Sequence, residues 1–202
     1  MLALVLDTST PAVSAGLVRV GSATGVLAEC VVIDGRRHGE LLAVGMREVL
    51  AYGTPDVVVV GVGPGPFTGL RVGIMSAAAF GSARGLPVLG VCSLDGLASA
   101  DTLVVTDARR KEVYWAGYGP DGLRVDGPYV TAPSLAVAAI SGRRVVGDGA
   151  QLYGFATTAE PRYPSVLALA VAASRQQPLP LTPLYLRRPD ATEPGAAKKV
   201  LA

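Results

Sequence analysis

The chain has 202 residues, half of them apolar and 17% charged, with 18 basic against 16 acidic residues and a net charge of +2. That length suits one compact unit or two small lobes around a sizeable core. The near-neutral balance gives no strong electrostatic footprint for nucleic acid by itself, and the high apolar share points to a buried partner surface.

Leu2–Leu6 predicts a buried strand ending at Asp7. No basic region precedes it, so the start reads as a strand and not as a signal peptide. The polar turn Thr8-Ser9-Thr10-Pro11 leads to a second strand over Val13–Val20 and a third over Leu27–Ile33. After the loop Asp34-Gly35-Arg36-Arg37, Gly39–Tyr52 reads as an amphipathic helix with Leu41, Leu42, Met46, Val49 and Leu50 on its apolar side. The valine-rich run Val57–Val62 is that of a central strand covered on both faces.

Gly63-Pro64-Gly65-Pro66-Phe67-Thr68-Gly69 leaves this strand and enters a helix over Thr68 to about Arg84, with Thr68 as N-cap and a stop at Gly85 and Pro87. Along it Gly69, Gly73, Ala77 and Gly81 recur every four residues and form one ridge of small side chains. Each helical glycine costs about 1 kcal/mol relative to alanine, so close packing must offset the ridge. The packing element is either a partner's helix or the chain's own sheet or neighbouring helix. Val88–Val91 predicts a short strand and Ser93–Ala100 a helix capped by Ser93.

A second unit is predicted from Asp101. It has strands at Thr102–Thr106, Glu112–Tyr118 and Leu123–Val130, then a helix at Pro133–Ile140 and a strand at Arg144–Val146. Helical stretches at about Ala150–Thr158 and Ser165–Arg175 complete it. Each unit thus begins with a three-strand meander and continues with alternating helices and strands. The expected division is 1–100 and 101–176, with a Pro-rich extended tail over 177–202 whose end is expected to be disordered. Cys30 and Cys92 read as reduced core residues, and the apolar run between Arg71 and Arg84 is too short to cross a bilayer. Together they predict a cytoplasmic protein with no membrane contact.

Two loops have the chemistry of a phosphate or nucleotide site. Asp7-Thr8-Ser9-Thr10 offers amides, hydroxyls and a carboxylate, although these residue types also suit an ordinary turn. Gly147-Asp148-Gly149 is either a seat for an adenine ring or a plain turn. The glycine-proline block is neither a Walker loop nor a dinucleotide fingerprint. Arg109-Arg110-Lys111 is a basic turn, of a kind that is usually solvated surface. The lone histidine, His38, suits a surface or capping place. No zinc spacing and no Ser-His-Asp set is present, so neither catalytic nor metal-ligating residues are expected.

DTST at 7–10, RHGELL at 37–42, GPGPFTGLRVG at 63–73, GLPVLGVCSLDGLA at 85–98, TDARRKEVYWAGY at 106–118 and PLYLRRPDA at 183–191 together resemble the TsaB family, also called YeaZ. The resemblance implies an α/β actin-like ATPase (ASKHA) fold of two RNase H-like lobes, each a mixed sheet flanked by helices. It also implies a scaffold role in putting a threonylcarbamoyl group on the adenosine just 3′ of the anticodon. The implied partners are TsaD and TsaE, tRNA through the complex, and a second copy of the chain when TsaD is absent.

TsaD itself resembles this chain but holds a metal through Asn-His-Met-Glu-Gly-His. Cys92-Ser93-Leu94-Asp95-Gly96-Leu97 stands in the matching place, so Ser93 and Leu97 replace both imidazoles. The resemblance therefore implies a subunit without a resident cofactor or catalysis of its own, with any nucleotide left to the assembled complex. Its partner surface would be the two helices 39–52 and 68–84, at Leu41, Leu42, Met46, Gly69, Val72, Gly73, Ser76, Ala77, Phe80 and Gly81. Arg109, Arg110 and Lys111 would add to a tRNA groove. The alternatives are an ATP-dependent kinase or carbamoyltransferase of the actin-like fold, using Asp7 and Gly147, and a peptidase, for which the residues are missing.

Overall fold

The computed structural model describes residues 1–140, 142–155, 160 and 162–187. Strands β1 (Leu2–Asp7), β2 (Ala12–Arg19) and β3 (Gly25–Ile33) form an antiparallel meander. Helix α1 (His38–Leu50) follows, then β4 (Val57–Gly61) parallel to β1, helix α2 (Phe67–Arg84), and β5 (Val88–Val91) parallel to β4. The sheet order is β3-β2-β1-β4-β5. A buried 3₁₀ turn, Ser93–Leu97, leads into the second lobe. There β6 (Thr102–Asp107), β7 (Val113–Tyr118), β8 (Arg124–Thr131) and β9 (Arg144–Val146) give the order β8-β7-β6-β9, with short helices α3 (Pro133–Val137) and α4 (Asp148–Leu152). Helix α5 (Val166–Arg175) is the last helix among the described residues. Both lobes repeat one plan: a three-strand meander, then a parallel strand added beside its first strand.

Strand alternation sorts the first sheet into two faces. Leu4, Leu6, Val58 and Val60 point at Leu42 and Val49 of α1 and at Leu70, Ile74 and Ala77 of α2. Ala3, Val5, Val57 and Val59 point the other way, onto Val166, Leu169, Ala170 and Ala173 of α5. Helix α5, expected in the second lobe, is thus the second cover of the first sheet. A Cβ on Gly16 would stand 2.6 Å from Val166, so α5 presses directly on the β2 backbone.

The tail also returns to the first lobe. Leu179 N–H donates to the Gly90 carbonyl (2.8 Å) and Leu184 N–H to the Val62 carbonyl (2.8 Å), while Leu179 and Leu184 touch the cores of both lobes. The disordered end expected for the tail falls on 188–202, and part of the helix expected to reach Thr158 falls on 156–159; both lie outside the described residues. Among the described residues no helix is long and apolar enough to cross a membrane.

Helix ends depart from expectation for local reasons. Pro66, extended at φ −62° and ψ 137°, precedes the first turn of α2, so Thr68 lies inside the helix and makes no cap. The other end matches its glycine: Gly85 is left-handed at φ 65°, and Leu86 N–H reaches back to the Gly81 carbonyl (2.9 Å).

The small ridge of α2 faces inward. Gly69 lies under the Thr8 carbonyl, Gly73 under the Thr8 hydroxyl, Ala77 in the core and Gly81 under Val88. The partner surface expected at Gly69, Gly73, Ala77 and Gly81 is therefore corrected: their lack of bulk admits the β1–β2 turn and β5, not a foreign helix. Leu42 is likewise core, 1% exposed. Leu41, Met46, Val72, Ser76 and Phe80 remain half-buried at the edge of the packed face.

This packing makes a direct prediction. Gly73→Leu would place its Cβ 2.5 Å from the Thr8 hydroxyl, so it should destabilise the isolated chain by about 1–3 kcal/mol or more through overpacking. Urea unfolding of the monomer checks this. A variant as stable as the parent would show that the ridge faces outward.

Candidate functional site

The end of β1 carries a carboxylate into the centre of the molecule. Asp7 is 1% exposed. One of its oxygens accepts from the Ser9 amide (2.9 Å) and the Ser9 hydroxyl (2.7 Å). The other accepts from the Ser93 hydroxyl (2.7 Å), which in turn accepts from the Gly63 amide (3.1 Å). A side chain on Gly61 would collide with this carboxylate, which explains the one glycine in the valine run. Burial pushes the Asp7 carboxyl above the usual carboxylate range, against the pull of its serine donors.

The other polar groups of the turn are also committed. The Thr8 hydroxyl donates to the Gly69 carbonyl (2.7 Å), tying the turn to α2. The Thr10 hydroxyl accepts from the Ala12 amide (3.2 Å), and His38 Nε2 donates to the Thr10 carbonyl (3.0 Å). His38 is therefore a buried strut and not the surface or capping residue expected of it; its partner lies 28 residues away. The hydroxyls of Thr8, Ser9 and Thr10 that would cradle a phosphate all have partners inside the protein.

The 3₁₀ turn after β5 fastens the lobes together. Ser93 reaches back to Asp7, while Asp95 reaches forward, accepting from the Tyr118 hydroxyl (2.7 Å) and lying 3.2 Å from Arg124 Nε. Burial raises the Asp95 carboxyl, opposed chiefly by the Arg124 charge. The sequence around Asp95 carries no local signal of an ionic anchor, because its partners sit on β7 and β8. Ser93 does not cap the turn, as expected of it, because its hydroxyl is spent on Asp7. Leu97, 1% exposed, packs in the second core beside Cys92, whose thiol burial pushes up to about 12, keeping it protonated. Among the described residues no group of three or more His, Cys, Asp and Glu could hold a metal ion.

Between the lobes Ser9, Thr10 and Pro66 face Asp107, Arg109 and Asp148 across a cleft of about 150 Å³. Small-molecule sites run from about 300 to 1,000 Å³, so this cleft is too small for a nucleoside triphosphate without opening. Gly147, at φ 105°, lies against the Val105 carbonyl, and a Cβ on Gly149 would stand 2.6 Å from the Thr106 backbone. Close approach to β6 accounts for both glycines without a ligand. Asp148 accepts from the Asp107 amide (3.2 Å), and burial raises its carboxyl, with the Asp107 charge adding to the effect.

Arg109, which lines the cleft, and its neighbours Arg110 and Lys111 are exposed and all left-handed, at φ 61°, 54° and 62°. Three such residues in a row cost several kcal/mol, at about 1–2 each. The turn is held from both sides. Arg109 N–H donates to Asp107 (2.8 Å), Arg187 donates to the Ala108 carbonyl (2.9 Å), and Arg187 pairs with Glu112.

Comparison with known proteins fits this geometry. A family model described as TsaD, tRNA N6-adenosine threonylcarbamoyltransferase, matches residues 35–133. An uncharacterized protein of Mycobacterium tuberculosis is 49% identical over 93% of this chain and 92% of its own length. The Escherichia coli tRNA threonylcarbamoyladenosine biosynthesis protein TsaB is 32% identical over 60% of this chain and 56% of its own length. A Pseudomonas aeruginosa crystal structure, described as an uncharacterized protein with similarity to peptidase YEAZ, superposes with a TM-score of 0.76 at 26% identity, covering 92% of this chain and 99% of that one.

Two mixed sheets flanked by helices, joined through one buried turn, define a two-lobed protein of the actin-like, RNase H-like class. Within that class the superposition extends along nearly the whole length of the Pseudomonas chain. This chain is TsaB/YeaZ-like, similar in sequence to the curated TsaB proteins and in fold to the Pseudomonas structure.

The buried carboxylates set a pH dependence. An unfolded aspartate loses its proton near 3.8, whereas Asp7, Asp95 and Asp148 lose theirs at higher pH in the folded chain. Between those values the folded state binds more protons, so stability falls as pH rises from about 4 toward neutrality. Asp7→Asn should flatten that decline in urea unfolding, and an unchanged slope would contradict it. Ser93→Ala, which removes a donor from a buried carboxylate, should cost about 1–3 kcal/mol at pH 7.

Proposed function

We propose that this chain is a supporting, non-catalytic subunit of the machinery that installs the threonylcarbamoyl group on the tRNA adenosine 3′ of the anticodon. The relatives named TsaB bring the process; one observation carries the role. The two places where a TsaD-type enzyme carries metal-binding histidines are here Ser93, spent on Asp7, and Leu97, spent on the core. A neutral hydroxyl and an isobutyl group cannot replace two imidazoles on a metal. What the chain retains is the fold, which can seat and stabilise a homologous catalytic subunit.

TsaD is the partner in this reading, with TsaE joining the assembly, a TsaC-type enzyme supplying threonylcarbamoyl-AMP, and tRNA engaged by the complex. An ATP-dependent kinase or carbamoyltransferase finds less support, because the Asp7 turn spends its hydroxyls internally and the cleft is small. The partner face is the outer surface of α1 and α2. There the half-buried Leu41, Met46, Val72, Ser76 and Phe80 border the exposed Val44 and Met75. An apolar strip of that kind costs solubility when bare, and in the absence of TsaD a second copy would cover it about a two-fold axis.

Reconstitution tests the role. The chain alone should transfer no threonylcarbamoyl group to tRNA, whereas TsaD with TsaE and a TsaC-type enzyme should require it. Equal modification without the chain, or turnover by the chain alone, would overturn the reading. Met75 is 65% exposed, so Met75→Glu should leave stability within about 0.5 kcal/mol yet abolish both self-association and co-elution with TsaD in size-exclusion chromatography.

A further inference from the structure

The returning tail builds a surface that no single stretch of sequence contains. Tyr185 stacks on Phe67 at the start of α2, with ring centroids 5.2 Å apart and planes 14° from parallel. Arg71 covers Phe67 from 3.9 Å and donates from Nε to the Tyr185 hydroxyl (3.1 Å). Phe67 and Tyr185 nevertheless remain 47% and 40% exposed. Two residues further on, a distance of about 7 Å in extended chain, Arg187 grips the carbonyls of Ala108 and Arg109. The tail therefore sets an aromatic platform beside the basic turn. Among the described residues Arg71, Arg109, Arg110, Lys111 and Arg187 share this strip with Asp107 and Glu112, which pair with Arg109 and Arg187, and with Asp148 in the cleft beside them.

We propose that this strip binds an unpaired RNA strand, with one base stacked on the outer face of Tyr185 and the adjoining phosphates drawn to Arg109, Arg110 and Lys111. Exposed aromatic faces interleaved with cations suit single strands, because every base offers a π-face and every linkage a charge. A bare apolar strip would suit a protein; a rigid stack flanked by a net positive turn suits a nucleic acid. The cost of three left-handed residues is consistent with a turn held ready for a ligand rather than relaxed. This deepens the tRNA reading above, and places part of the RNA contact on this chain.

The test is fluorescence anisotropy of the purified full chain with a short single-stranded oligoribonucleotide, from low to moderate salt. Tyr185→Ala should weaken binding about ten-fold, the loss of one base stack, without changing the salt dependence. Tyr185→Phe should bind like the parent. Lys111→Gln should weaken binding and lower the slope of log affinity against log salt by about 0.7, one phosphate contact on a single strand. Absence of saturable binding, or parental affinity in Tyr185→Ala, would overturn the proposal. So would a changed salt slope in Tyr185→Ala, which would mean that the ring only braces the turn. Loss of TsaD co-elution with RNA affinity intact would reassign the strip to a protein contact and likewise overturn it. If modification still requires the chain after any of these results, the supporting-subunit reading stands and the RNA strip alone falls.

Discussion

Asp7 is the point from which the rest of the structure follows. A carboxylate withdrawn from water must be met by donors or it destabilises the fold by several kcal/mol. Here the donors come from its own turn, through Ser9, and from the far side of the first lobe, through Ser93. Ser93 also receives the Gly63 amide, so one short network fixes β1, the glycine-proline turn and the entrance to the second lobe. The glycine at 61 makes room for it, and the Thr8 bond to α2 locks the turn that contains it.

From that anchor the lobes are joined by opposite faces of one turn. Ser93 looks into the first lobe and Asp95 into the second, where Tyr118 and Arg124 receive it. The tail adds a second crossing through Leu179, Leu184 and Arg187. Two-lobed proteins that work on nucleotides need room between the lobes for their ligand. In this chain hydrogen bonds and core side chains tie the lobes together, and the cleft between Ser9 and Asp107 holds about 150 Å³. Ser93 as a strut to Asp7 and Leu97 as a core side chain add to that rigidity, and on the proposed reading the outer surfaces are left to act.

Much of the fold was legible because its signals are local. Period-two runs and turn residues place β1, β2, β4, β5 and β9 within a residue or two, and the apolar side of α1 was readable from Leu42 and Val49. The direction of the α2 ridge was not legible. Small residues every four positions look alike whether they admit a partner or the chain's own Thr8, and only the three-dimensional path of β1 decides between them. The same holds for α5, whose apolar face fits either sheet, and for His38, Asp95 and Tyr185, whose partners are distant in sequence. At the candidate site the identities of Asp7, Ser93 and Leu97 were readable, but the bond from Ser93 to Asp7 was not.

Metal content is the most direct measure of whether a coordination sphere has been exchanged for a structural strut. The purified chain, equilibrated with iron(II) or zinc(II) and then passed through a desalting column, should retain far less than one equivalent by elemental analysis. Ser93 should keep its hydroxyl on Asp7 in a crystal grown from that sample. One tightly held ion per chain, located between Asp7 and the 93–97 turn by anomalous scattering, would contradict the account.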